Sequence, residues 1–236
     1  AIVGFVLMAL SGYVFVTNTK SLLSAENINE WNTSSVTDMS NMFDSASAFN
    51  QNIGGWITDS VTYMSYMFSD AIAFNKNIGG WNTLNVTNMS YMFSNAISFD
   101  IDIGSWKVSN VTDMMHMFSM ATIFNQDIGG WNTIKVTDMS YMFDQASTFN
   151  HNIGNWNTSS VINMEGMFRK AITFNQNIGG WNTSNVNYMS YMFNEASGFN
   201  QDLSGWCVTK ITSEPTDFSL YSSLIESYKP IWGTCP

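Results

Sequence analysis

From residue 31 onward, apolar and polar positions recur in the same order every 25 residues, without insertion or deletion, as far as Trp206. Tryptophan marks the period at Trp31, Trp56, Trp81, Trp106, Trp131, Trp156, Trp181 and Trp206. Between these marks a methionine returns from Met39 to Met189, and a Met-Phe pair from Met42 and Phe43 to Met192 and Phe193. A period of about 20–50 residues is the mark of one unit stacked on copies of itself, none of which can bury its apolar face alone.

Within the copy at residues 31–55, Met39, Met42, Phe43, Ala46 and Phe49 have the spacing of one helix face. Thr37 or Asp38 stands just before it, where a side-chain oxygen can cap free backbone N–H groups. The run NQNIGGW predicts a brief strand around Ile53, with Gly54 and Gly55 making the bend that follows. One short helix and one short strand per copy predict an α/β fold: a solenoid of seven 25-residue repeats with a parallel sheet along one side. At about 4.8 Å per strand the seven would span roughly 34 Å. The Met and Phe columns form its continuous core.

The chain divides into residues 1–30, 31–205 and 206–236. The first segment opens on AIVGFVLMALSGYVFV and carries no charge before Lys20. It predicts an apolar helix to about residue 27, presenting Ile2, Val3, Phe5, Val6, Leu7, Leu10, Tyr13, Val14 and Phe15. A repeat stack closes its own strip, so these side chains are expected to bury against other copies or lipid. The last segment starts in register with Trp206 and Ile211 and then leaves the pattern. Phe218, Tyr221, Leu224 and Ile225 predict a capping helix, held by Trp232. Cys207 and Cys235 both follow the last full repeat and are expected to close the cap as a disulfide, the alternative being two buried thiols.

Composition narrows the function. Charged residues make up only 11 %, so solubility rests on Asn, Ser, Thr and Gln or on groups attached to them. With a net charge of −10 and eight scattered basic residues, the chain lacks the clustered cations that nucleic acid or an anionic membrane surface requires. Six N-x-S/T sequons, at Asn32, Asn85, Asn88, Asn110, Asn157 and Asn182, are candidate glycosylation sites. His116 and His151 occupy different columns, and Asp102, Asp127 and Asp202 share theirs with asparagine. No hydrolase, metalloprotease, phosphate-loop or paired-cysteine motif is present. The sequence therefore predicts no catalytic, cofactor or metal site.

Three polar columns remain. Asn50, Asn75, Asp100, Asn125, Asn150, Asn175 and Asn200 form a ladder expected to be buried and to serve the backbone at each turn. Thr33, Thr58, Thr83, Thr133, Thr158 and Thr183 form another, broken by Val108, which counts against an ice-ordering surface. Tyr66, Tyr91, Tyr141 and Tyr191 share a column with Asn41, His116 and Gly166. Lying off the Met-Phe face, these tyrosines are the candidate contact surface for proteins or glycans.

The unit V-T-x-M-S-x-M-F-x-x-A-x-x-F-N-x-x-I-G-x-W resembles the BspA-like leucine-rich-repeat surface proteins across residues 31–205, and the ending GWCVTKITSEP…WGTCP is similar to their cap. That resemblance implies a leucine-rich-repeat-like solenoid displayed outside the cell, with Met and Phe in place of leucine, and adhesion as its role. The first 28 or so residues resemble a type IV pilin of the archaeal kind, with Phe5 where bacterial pilins carry glutamate. Together these imply a structural subunit of an extracellular, pilus-like filament at the cell surface. Its partners would be other copies, through the N-terminal helix, and glycans or surface proteins of other cells. The alternative is a membrane-anchored adhesin held by that one helix.

Overall fold

The computed structural model describes residues 28–236, and the expected N-terminal helix with Ile2, Val3, Phe5, Val6, Leu7, Leu10, Tyr13, Val14 and Phe15 lies outside them. Among the described residues there is no α-helix and no extended strand. Regular structure is confined to two short 3₁₀ turns, Ile28–Glu30 and Glu226–Tyr228, and to isolated parallel bridges running from Asp38–Tyr63 to Asn163–Tyr188. The α/β assignment is therefore overturned. Each copy is a coil of turns, laid directly on the next.

The reason lies in where the backbone amides point. Asn41 and Ser45 adopt φ of 59° and 58°, and their equivalents in every later copy do the same. A left-handed residue every fourth position cannot continue a right-handed helix. It turns alternate N–H groups outward along the stack instead. Asn41, Phe43 and Ser45 donate to the carbonyls of Ser65, Met67 and Ser69 in the next coil, while Met42, Asp44 and Ala46 donate back to Met39, Asn41 and Phe43 within their own. Half the bonds that a helix keeps to itself thus join neighbours. The expected helix cap is put to local use: Asp38 Oδ1 accepts the Ser40 N–H at 2.8 Å, but the turn it opens ends at Asn41.

The strand expected around Ile53 is absent too, and the bridge column stands at Asp38 instead. Ile53 points inward while the chain bends over Gly54, where an added Cβ would lie 2.6 Å from the Asn77 carbonyl oxygen. Glycine fills this column because two coils touch there, backbone to backbone.

The Met39, Met42, Phe43, Phe49 and Ile53 columns pack into one continuous core, joined by alanine from Ala71 onward, while Ala46 is half-buried. Burial of each such side chain is worth about 1.5–3 kcal/mol against leaving it in water. Rings stack both within and between coils: Phe68 lies 4.0 Å from Phe74 and 5.6 Å from Phe93, and Trp56 lies 6.3 Å from Trp81.

Side chains repeat the backbone's stitching. The Trp81 indole N–H donates to the Ile53 carbonyl, and the other tryptophans from Trp56 to Trp206 bond alike. Thr33 Oγ1 donates to the Ile57 carbonyl and accepts the Ile57 N–H, both at 2.9 Å. This threonine column is buried, so it orders the neighbouring coil and not water. The asparagine ladder serves the backbone as expected, Asn50 Oδ1 accepting the Asn75 N–H at 3.0 Å, but it runs along the exposed or half-exposed edge and not in the interior.

The tail forms no capping helix. It is an eighth, irregular coil. Tyr191 and Phe193 donate to Thr216 and Phe218, one residue further on than the internal spacing, while Asn200 Oδ1 accepts the Ile225 N–H at the regular one. A single extra residue therefore enters before Asp217 and is given back before Ser223. Phe218 and Leu224 are buried, and Tyr221 is exposed. Trp232 meets the Phe218 ring edge-on at 5.0 Å, and Cys207 and Cys235 are bonded with Cα atoms 4.0 Å apart.

Candidate functional site

The tyrosine column is built on the left-handed position of each coil. Tyr66, Tyr91, Tyr141 and Tyr191 have φ of 59°, 58°, 54° and 61°, which throws their side chains out of the core. All four are half-buried, and the first three cover one another together with His116. Tyr66 stacks on Tyr91 at 4.4 Å, Tyr91 on His116 at 4.5 Å and His116 on Tyr141 at 4.7 Å. Ring faces are thus taken up inside the stack, and the hydroxyls and ring edges face out.

The stack ends at Gly166, where a Cβ would lie 2.3 Å from the Tyr141 ring. With one face of Tyr141 covered by His116, the Arg169 guanidinium lies over the ring, 5.7 Å from its centroid. Arg169 is held by a two-pronged bond to the buried Asp144, Nε to Oδ1 at 2.8 Å and Nη2 to Oδ2 at 3.0 Å. That bond raises the guanidinium's pKa further, so the charge is permanent. The Tyr141 hydroxyl donates to Glu165 Oε1 at 2.8 Å. Burial, then the Glu165 bond and charge, push this phenol up to about 12. Tyr191 stands beyond Gly166, apart from the stacked rings. The column therefore forms one four-ring stack and one separate ring.

Burial holds His116 below the usual imidazole range, with the Arg169 charge adding to the effect and Asp144 and Asp138 opposing it. In the adjacent bridge column Asp113 and Asp138 are direct neighbours, flanked by Asn88 and Asn163 amides that donate to them at 3.3 Å on either side. Burial first, and then the Asp138 charge, raise the Asp113 carboxyl. No group of three His, Cys, Asp or Glu among the described residues could hold a metal ion.

Two features escaped the sequence reading. Tyr63 and Tyr188, in the bridge column, are 49 % and 57 % exposed, more open than the stacked tyrosines. A second threonine column, Thr37, Thr62, Thr87, Thr112 and Thr137, runs along the surface, each hydroxyl after the first donating to the preceding carbonyl. The alternation of inward Val36 and outward Thr37 carried the signal for it.

The sequons divide into two kinds. Asn32, Asn157 and Asn182 are exposed, and each accepts bonds from the serine two residues on through Oδ1. Asn85, Asn88 and Asn110 instead spend their amide N–H on the Asp59 carbonyl, the Asp113 carboxylate and the Leu84 carbonyl of neighbouring coils. No helix among the described residues is long and apolar enough to cross a membrane.

A family model described as "Mycoplasma protein of unknown function, DUF285" matches residues 12–131 and again residues 116–228. No curated protein matches the chain.

Proposed function

We propose, for a chain that belongs to the DUF285 family, that it is a structural and not a catalytic protein: a subunit of an extracellular, pilus-like filament that displays its coil stack for adhesion. The observation that carries this reading is how the polar groups are used. Among the described residues no buried side-chain nitrogen or oxygen lacks a partner, and most of those partners are neighbouring coils. Thr33, Asn50 and the indoles hold the scaffold, which leaves the outward columns to meet a partner. Tyr63, Tyr188 and the edges of the Tyr66–Tyr141 stack offer hydroxyls and apolar rims there, a chemistry suited to glycans and to polar protein surfaces. The Cys207–Cys235 bond supports an oxidising location outside the cytosol.

Electron microscopy of the purified full chain, with and without residues 1–16, tests the assembly half. Filaments are expected from the full chain and none from the truncated one. Filaments from both would remove the N-terminal segment from the mechanism, and particles anchored singly in lipid would favour the adhesin alternative. The adhesion half is tested by binding to intact cells: Tyr63→Ser with Tyr188→Ser should lower it several-fold without changing thermal stability.

A further inference from the structure

From the second coil to the seventh the bridge column reads Tyr63, Asn88, Asp113, Asp138, Asn163 and Tyr188. The order is the same from either end: a tyrosine, an amide, a carboxylate. The two tyrosines are exposed, and the four residues between them are half-buried. Asn88 and Asn163 each give one amide N–H to the neighbouring carboxylate, at 3.3 Å, and keep a second. Asp113 takes its bonds from Met115 and Asn88, and Asp138 takes its own from Ser140 and Asn163, so no donor stands between the two carboxylates. Burial and the Asp138 charge raise the Asp113 carboxyl accordingly. The segments that carry this face, 62–66, 87–91, 112–116, 137–141, 162–166 and 187–191, contain no lysine or arginine. The Arg169 charge beside Tyr141 is committed to Asp144, and Glu165 to the Tyr141 hydroxyl. Successive coils lie about 4.8 Å apart along the column, which puts the two tyrosines on the order of 24 Å from each other.

We infer that this column is a binding track for a linear, β-1,4-linked glycan of amino sugars, lying along the stack with one ring over each coil. The track rests on the adhesive reading above and supplies its ligand class. A pyranose chain of that linkage is extended and advances, per sugar, by close to one coil spacing, so a hexasaccharide reaches from Tyr63 to Tyr188 in step with the coils. Its end rings lay their C–H faces on two phenols that are apolar in body and polar at the tip. A sugar ammonium seated between Asp113 and Asp138 bonds both, with the strength of charge-assisted pairs. Ring hydroxyls accept the amide N–H groups that Asn88 and Asn163 have left. An acidic glycan is repelled by two carboxylates with no cation beside them, and a neutral one leaves them unrelieved. A basic peptide would supply the charge but not the spacing: side chains on one face of an extended backbone recur about every 6.6 Å and fall out of step with the coils.

Titration calorimetry of the full chain with soluble oligosaccharides, at a mildly acidic pH that keeps sugar amines protonated, tests the track. The β-1,4-linked glucosamine hexamer should bind at least about tenfold more tightly than its N-acetylated form, the matching glucose hexamer or the glucosamine dimer. Asp113→Asn with Asp138→Asn should weaken the glucosamine hexamer by about tenfold or more, and so should Tyr63→Ser with Tyr188→Ser, with thermal melts showing both variants folded. No binding of the glucosamine hexamer, equal binding of the glucose hexamer or of the dimer, a lysine hexapeptide that binds as tightly, or indifference to either double substitution would each overturn the track. The adhesive reading stands or falls separately. Attachment of the parent protein to intact cells without any affinity for the glucosamine hexamer would remove the track and leave adhesion, whereas affinity for the hexamer without attachment would do the reverse.

Discussion

His116 is the one imidazole in a column of phenol rings, and its position makes an otherwise pH-blind array sensitive to acid. Tyr91 and Tyr141 cover its two faces, and the groups acting on it are Asp144, Asp138 and Arg169. Burial depresses its pKa, so the folded state resists the proton that the unfolded chain accepts below about 6.5. Stability linked to this residue is present above that value and is lost as pH falls through it towards the folded pKa. His116→Tyr should therefore match the parent above pH about 7 and gain on it steadily towards pH about 5, which paired thermal melts would measure. Asp113, raised by burial, works in the opposite sense, but it is common to both proteins and cancels in the difference. A second prediction comes from the buried threonines. Thr133 Oγ1 donates to the Asn157 carbonyl at 3.0 Å, whereas Val108 fills the same column with no such bond. Thr133→Val should cost about 1–2 kcal/mol and Val108→Thr should return about 0.5–1 kcal/mol, both readable by chemical denaturation. The outward placement of the tyrosine column was legible from its offset from the Met-Phe face. The replacement of a ring by Gly166 and Arg169 was not, because it depends on a buried Asp144 in the neighbouring coil.

At the scale of one coil, the positions that face the core were legible and the backbone that carries them was not. Met39, Met42, Phe43, Ala46 and Phe49 satisfy a helical period, yet turns closed by bonds from Met42 to Met39 and from Ala46 to Phe43 give the same three- and four-residue steps. What separates the two is the sign of φ at Asn41 and Ser45. Asparagine and serine there hint at a left-handed residue, but Tyr66, Met120, Gln145 and Lys170 occupy equivalent places and give no such hint. Stacking forces those angles, each at a cost of about 1–2 kcal/mol, and no local propensity announces them. The paired glycines were more informative than they first appear. An added Cβ at Gly179 would lie 2.5 Å from the Asp202 carbonyl oxygen, while one at Gly180 meets nothing within 4 Å. Gly179→Ala should thus lower stability by about 1–3 kcal/mol, and Gly180→Ala should stay within about 0.5 kcal/mol, measured side by side in denaturant.

The whole molecule behaves as a line of nearest neighbours, because each coil bonds only to the one before and the one after. Deleting residues 81–105 removes one period and rejoins Gly80 to Trp106 in register. The shortened chain is expected to fold, with the near-ultraviolet dichroism of packed aromatic rings retained and only a modest fall in melting temperature; loss of that signal would mean the coils are not interchangeable. At the C-terminal end, one surplus residue before Asp217 and its loss before Ser223 hid an eighth coil behind a broken period. Partners leave no such period in the sequence, since the same columns would build the same scaffold for any of them. The inter-coil amide bonds also have a mechanical meaning. Tension applied at the C-terminus loads the backbone bonds of one junction at a time, so the molecule should pay out like thread from a spool. Each coil released lengthens the chain by about 3.3–3.6 Å per residue, on the order of 80–90 Å for a full turn. The Cys207–Cys235 bond keeps the final turn out of that process. A steady pull on the stack would meet a row of equal, modest yield points, and energy would be dissipated turn by turn.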